Sequence, residues 1–229
     1  MNKQTFLTLL ATFALLFSFT FSCHAKGKDK AKHVVFIGLD GWGAYSLPKA
    51  DMPNVKKLME DGAYTLKKRS ALPSSSAINW ASMFMGAGPE LHGYTEWGSK
   101  TPELPSRVLN KNGIFPTVFQ LLRDARPEAE IGCLYEWEGI KYLVDTLSLS
   151  YHYHVADCNK TPKELGNMAS SYIKEKHPAL VAICYDGPDH TGHTAGHDTP
   201  EYYEKLKELD MYVGQIVQAV KDAGLLDDT

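Results

Sequence analysis

What this chain of 229 residues has little of narrows it first. After one apolar run from Phe6 to Phe21, no further run is long enough to cross a bilayer. Neither sign of charge dominates, with 24 Lys and Arg against 27 Asp and Glu, and no basic patch marks a nucleic-acid surface. There is no internal repeat, and no low-complexity tract beyond the leader, which argues against solenoids and disordered arrays. Cysteine is scarce. Cys133 and Cys184 fall inside apolar runs, where a buried thiol is the usual state, and Cys158 sits in a polar stretch. Three such cysteines specify no disulfide framework. Gly38, Gly41 and Gly43 lack the spacing of a dinucleotide fingerprint and enclose Trp42.

Residues 1–25 read as a secretory signal peptide: Lys3, the apolar run, then Ser22-Cys23-His24-Ala25 with small residues near a cleavage point. A buried first helix is the competing reading, opposed by the Lys26-Gly-Lys-Asp-Lys30 stretch that follows. Residues 26–32 are then a linker. Cys23 and Ala25 suit an ordinary signal peptidase; lipidation of Cys23 is the other route, for which Thr20 is a poor match three residues earlier. The expected location is exported, periplasmic or extracellular, with a membrane attachment only if Cys23 is lipidated. Removing Lys3 with the leader leaves 23 basic and 27 acidic residues, net −4, on about 204 residues, enough for one α/β domain over 33–229.

Strand and helix patterns alternate through that domain. His33–Leu39 is a β-branched apolar run of the kind found in buried parallel strands. Helical spacing over Asn54–Asp61 stops at Gly62, Ala63–Ala71 reads as a strand, and Ser76–Met85 reads as a helix closed by Gly86. A helix near Thr117–Ala125, strands at Glu130–Tyr135 and Leu147–Val155, a helix from Thr161-Pro162 to Lys176, a strand at Ala179–Tyr185 and a long amphipathic helix over Pro200–Ala223 complete the series. The expectation is an α/β, doubly wound, mostly parallel sheet flanked by helices. The alternation asks for another strand after the last helix, so the fold reads as incomplete at the C-terminus, Thr229.

Open α/β sheets bind ligands at the carboxyl ends of their strands, and two acidic segments fall there. Asp40 follows the first strand, where it is either a ligand or a turn cap beside Gly41. Asp186-Gly-Pro-Asp189-His-Thr-Gly-His193 follows Ala179–Tyr185 as a Gly/Pro-bounded loop, with carboxylate and imidazole suited to Zn²⁺ or simply solvated. Ser76 opens a helix, where unpaired N–H groups and the dipole favour negative charge; it is either a nucleophile or an ordinary N-cap. His152 and His154 share a strand face with no third ligand nearby, His197 is outer-layer or exposed, and Asp210 is structural.

Taken together, Asp40 after the first strand, Ser76 followed by Asn79, Gly86-x-x-Pro89-x-x-His92-Gly93, and Pro188-Asp189-x-x-Gly192-His193 come in one order and spacing. This pattern resembles the type I phosphodiesterase/nucleotide pyrophosphatase branch of the alkaline phosphatase superfamily, over 33–224. The resemblance implies two Zn²⁺ ions, one on Asp40 and Ser76 and one on Asp189 and His193. It implies that Ser76 attacks phosphorus in line, that a phosphoserine forms and that water releases it, the substrate being a small-molecule phosphate ester. Asn79 and Trp97 are the implied substrate contacts. Ser76 has no Cys/Ser-x-Pro-x-Arg context, which argues against sulfate esters.

The sequence departs from the family pattern twice. The family completes its metal sites with Asp-His-Gly and a further histidine, neither of which occurs before Thr229, so the chain by itself is expected to hold zinc poorly and turn over slowly. Trp97 also stands where the diesterase branch usually carries an asparagine, leaving monoester against diester preference open. A phosphotransferase or phosphomutase is the runner-up, though Gly93–Pro178 is too short for a large cap insertion. A non-catalytic exported binding domain of the same fold is the reading from another class. Zinc stoichiometry separates these. Oligomeric state is not legible.

Overall fold

The computed structural model describes residues 31–156 and 162–229; the expected leader with Cys23, most of the linker, Cys158 and Thr161 lie outside the described residues. Four strands form one parallel sheet: β1 (Val34–Leu39), β2 (Ile131–Tyr135), β3 (Tyr151–His154) and β4 (Leu180–Tyr185). Their order is β1-β4-β2-β3, so the last strand in the chain is inserted between the first two.

Helices flank this sheet: α1 (Pro53–Asp61), α2 (Ser76–Met85), the single turn α3 (Pro89–His92), α4 (Val118–Ala125), α5 (Pro162–Lys176), α6 (Gly187–Ala195) and α7 (Pro200–Asp222). Side chains alternate across a strand, and here the alternation divides two cores. Phe36, Ile131, Cys133, Tyr135, Leu180, Ala182 and Cys184 face α2 and α4, where Trp80, Phe84 and Phe119 fill the space. Val35, Ile37, Leu134, Val181, Ile183 and Tyr185 face α5 and α7, against Leu165, Ala169, Leu209 and Ile216. Buried on both faces, β2 and β4 read as continuous apolar runs because they lack a wet side. Cys133 and Cys184 are free buried thiols of the first core, and burial pushes the Cys184 thiol up. No helix among the described residues is long and apolar enough to cross a membrane.

The sheet and flanking helices match the expected fold class, with local differences. Ala63–Ala71 is not a strand: residues 62–70 are exposed, they include Lys67-Lys68-Arg69, and no neighbouring strand takes their N–H and C=O groups. The Leu147–Val155 strand contracts to β3 after a short 3₁₀ turn at Thr146–Ser148. The expected loop over Asp186–His193 is helical from Gly187 onward, since Pro188 lies in the first turn, where a missing N–H costs nothing.

Candidate active site at the carboxyl ends of the strands

Three adjacent strands each deliver an acid to the same end of the sheet: Asp40 after β1, Asp186 after β4 and Glu136 after β2. The ladder continues one step past the strands to hold them. Asp40 N–H donates to the Tyr185 carbonyl at 2.8 Å, and Glu136 N–H donates to the Cys184 carbonyl at 3.1 Å.

The Asp40 side chain is oriented from two sides. Its Oδ1 accepts the Gly41 N–H at 2.9 Å, and its Oδ2 accepts Trp80 Nε1–H at 2.9 Å. Trp80 reaches it by lying across Gly38, where a Cβ would come within 2.3 Å of the indole ring. Beyond Asp40 the chain turns through Gly41 at φ 68°, and a Cβ there would meet the Asp189 main chain at 2.5 Å. The two acidic segments are therefore in backbone contact. The Tyr202 hydroxyl of α7 clamps the same loop, donating to the Gly41 carbonyl at 2.8 Å and accepting the Gly43 N–H at 3.1 Å.

Ser76 is the first residue of α2, and Ser75, with extended φ and ψ, occupies the N-cap position. Ser76 therefore lies inside the helix and not at its cap position; the Ser75 hydroxyl makes no cap bond, and the Ser76 hydroxyl makes no hydrogen bond among the described residues. Trp80 lies one turn further along, so a single helix presents both the hydroxyl and the group that orients Asp40. The Asn79 amide is engaged with main chain: Oδ1 accepts the Ala71 N–H at 2.8 Å, and Nδ2 donates to the Ser75 carbonyl at 3.0 Å. It pins the loop ahead of Ser76. His92 is buried and structural, its Nε2 3.1 Å from Ser82 Oγ and its Nδ1 accepting the Tyr94 N–H at 3.1 Å.

Helix α6 places Asp189 and His193 one turn apart, with Nε2 3.5 Å from Asp189 Oδ2. Burial pushes the Asp189 carboxyl above its usual range, and the negative charge of Asp40 adds to the shift; His193, His197 and His190 act in the opposite sense. His197 is exposed, packs its ring over Gly192 and lies against Tyr202 with centroids 5.0 Å apart. His152 and His154 stack on Tyr135, and His154 Nε2 lies 2.9 Å from the Glu136 carbonyl oxygen.

Two cavities meet at Ser76. The larger, about 770 Å³, runs from Asp40, Asp189 and His197 past Asn79 to Lys68 and the outer side of β1. The smaller, about 420 Å³, is enclosed by Asp186, Asp189, His190 and His193 on one side and by Trp97 and Trp137 on the other. Trp97 is 65% exposed and its ring centroid lies 6.3 Å from that of Trp137. Ser76 and Asp189 border both spaces.

Mutually repelling carboxylates beside imidazole and hydroxyl groups, with no lysine or arginine on the smaller cavity, suit a divalent cation. The oxygen and nitrogen donors fit zinc chemistry. Among the described residues no three His, Cys, Asp or Glu side chains converge on one point.

Sequence reasoning did not assign Trp80, Tyr202, Glu136 or Trp137. Trp80 alone left a signal, a turn beyond Ser76 on a helix whose start was legible.

The fold is that of the alkaline phosphatase superfamily. It aligns with murine ectonucleotide pyrophosphatase / phosphodiesterase 5, inactivated by a substitution and solved in complex with AMP, at a TM-score of 0.67 and 18% identity, covering 85% of this chain and 54% of that one. Residues 34–229 match the profile of the type I phosphodiesterase / nucleotide pyrophosphatase family, and the chain belongs to that family. The family is metal-dependent. Among curated relatives, mouse ectonucleotide pyrophosphatase/phosphodiesterase family member 1 is 23% identical over 201 residues, covering 83% of this chain and 22% of that protein. GPI ethanolamine phosphate transferase 3 of Schizosaccharomyces pombe is 30% identical over 86 residues, 37% of this chain and 9% of that protein. The chain thus spans about half of the solved relative and a quarter or less of the curated ones.

Proposed function

We propose that the protein hydrolyses phosphoric esters of small molecules, with Ser76 as nucleophile and a phosphoserine intermediate. The observation that carries this reading is the position of the Ser76 hydroxyl, unbonded, at the junction of two cavities that share Asp189, the larger of them lined by Asp40. Two zinc ions, one held by Asp40 with Ser76 and the other by Asp189 with His193, would lower the hydroxyl pKa and stabilise charge on the attacking and leaving oxygens. Ser76 Oγ forms the bond to phosphorus as the bond to the leaving alcohol breaks, and the serine proton ends on that alcohol. Water then attacks phosphorus, the P–Oγ bond breaks to release phosphate or the monoester, and a proton from that water returns to Ser76 Oγ. The start of α2 favours the phosphoryl charge throughout, and Trp80 keeps Asp40 aimed at the site. Trp97 and Trp137 offer apolar surface to the alcohol portion of the substrate. The names of relatives as ectoenzymes, and the leader read from the sequence, support an extracellular or periplasmic site of action.

Ser76→Ala in the full gene product, supplied with Zn²⁺, should lower turnover of p-nitrophenyl phosphate and bis(p-nitrophenyl) phosphate by about 10³-fold or more, with the zinc on Asp189 and His193 kept. Retained turnover would remove Ser76 as nucleophile. A second reading, transfer of the phosphoryl group to an alcohol, is favoured by the likeness to the ethanolamine phosphate transferase. It predicts a new phosphate ester when ethanolamine is supplied, where hydrolysis yields inorganic phosphate or the monoester.

A further inference from the structure

Helix α6 carries both Asp189 and His193, and its N-terminus raises a hydrogen-bond accounting problem. The first turn of any helix has N–H groups with no partner inside it, and here no side chain of the turn itself supplies a cap. Pro188 removes one of those donors. The Asp186, Gly187 and Asp189 N–H groups remain, and the first two point to the same acceptor from outside the helix. Glu136, at the end of β2, accepts the Asp186 N–H on Oε2 at 2.7 Å, and its carboxyl also takes a bond from Gly187. Glu136 is 4% exposed, and its other oxygen, Oε1, is buried with no hydrogen-bond partner among the described residues.

A carboxyl buried with one oxygen unbonded is costly on its own. It is retained where two main-chain donors would otherwise be buried unpaired at the start of the helix bearing the site. We propose that Glu136 is a positioning residue: its carboxyl caps α6 from the neighbouring strand and sets the depth and rotation at which Asp189 and His193 face Ser76. The main chain of Glu136 is anchored to β4 through Cys184, so the cap is built on the rigid centre of the sheet. The link to metal binding rests on the function proposed above; the capping of α6 does not.

The test uses the full chain with Glu136→Ala and Glu136→Gln, read by amide hydrogen exchange over residues 187–193 and by Zn²⁺ affinity from calorimetry. Glu136→Ala should speed exchange in that segment at least tenfold and weaken Zn²⁺ at least tenfold. Glu136→Gln keeps a carbonyl oxygen at the same reach and should restore both to within about twofold. Should Glu136→Ala fail to fold, Glu136→Asp, one methylene short of the donors, should show the same direction at smaller size. Unchanged α6 exchange in the variant that folds overturns the proposal, as does a Glu136→Gln chain as loose as Glu136→Ala. If the parent chain binds no Zn²⁺ yet α6 exchange responds as expected, the metal reading fails and the positioning role stands.

Discussion

Helices α1 and α6 both begin with a proline in the first turn, both lack a side-chain cap of their own, and both take a buried acid from a distant element instead. For α1 the acid is Asp210 of α7: Oδ1 accepts the Val55 N–H at 2.8 Å, while Oδ2 accepts the Asn54 N–H at 3.0 Å and the Asn54 side-chain amide at 2.9 Å. For α6 it is Glu136, with one oxygen bonded and the other bare. The saturated cap holds a helix away from the chemistry. The unsaturated one holds the helix that lines the site. The difference indicates where the fold accepts a cost: full satisfaction in the scaffold, partial satisfaction where geometry beside a charged centre has to be kept.

The largest effect should come from breaking the saturated cap. Asp210→Ala is expected to lower stability by about 3–5 kcal/mol, because two half-buried N–H groups and the Asn54 amide lose a buried carboxyl acceptor at once. Chemical denaturation measures it, and Zn²⁺ affinity of the remaining folded protein should stay within about threefold. A comparable loss of metal affinity would erase the contrast between the two caps.

The contrast sharpens with pH. Burial pushes Glu136 from its ordinary range up to about 8, and the charge of Asp186 adds to the shift, while the N–H bonds to it act the other way. The folded protein therefore holds this proton where the unfolded chain has released it. The stabilisation is fully present below about pH 4.5, declines as pH rises, and is lost through about pH 8, at up to ~1.4 kcal/mol per pH unit and on the order of 5 kcal/mol in all. Thermal melts from pH 5 to 9 should show this slope, and Glu136→Gln should flatten it. An unchanged slope in the glutamine variant would assign the dependence to another group.

Tyr202→Phe is the mildest probe. It removes a hydroxyl that bridges Gly41 and Gly43 but keeps the ring in its apolar nest, so about 1 kcal/mol should be lost. Fluorescence-monitored urea unfolding resolves a change of that size, and a neutral result would mean that the loop holds its shape without the clamp.

Much of this molecule was legible in its sequence. β2 and β4 declare themselves because strands buried on both faces need unbroken apolar runs; β1, at the sheet edge and only half-buried, is found by its β-branched residues, and the Ser76–Met85 helix lies where its pattern and Gly86 put it. Ala63–Ala71 misled because alternation describes a face without supplying a ladder partner. The segment after β4 read as a loop because glycine and proline mark turns and helix starts alike. Within the candidate site, Asp40, Ser76, Asp189 and His193 were expected through the family resemblance, and each lines one or both of the cavities that meet at Ser76. The residues that orient them could not. Trp80 bonds an acid 40 residues away and Glu136 a main-chain N–H 50 residues away, and no local pattern encodes such pairs.

The Tyr202 bridge also orders events during synthesis. The loop bearing Asp40 leaves the ribosome early, but its tether lies 161 residues further along. At ~5–20 residues per second the interval is roughly 8–30 s. Through that interval a nascent chain has the acid without the clamp that completes its loop, and any chain stopped short of residue 202 lacks the hydroxyl bridge across Gly41 and Gly43.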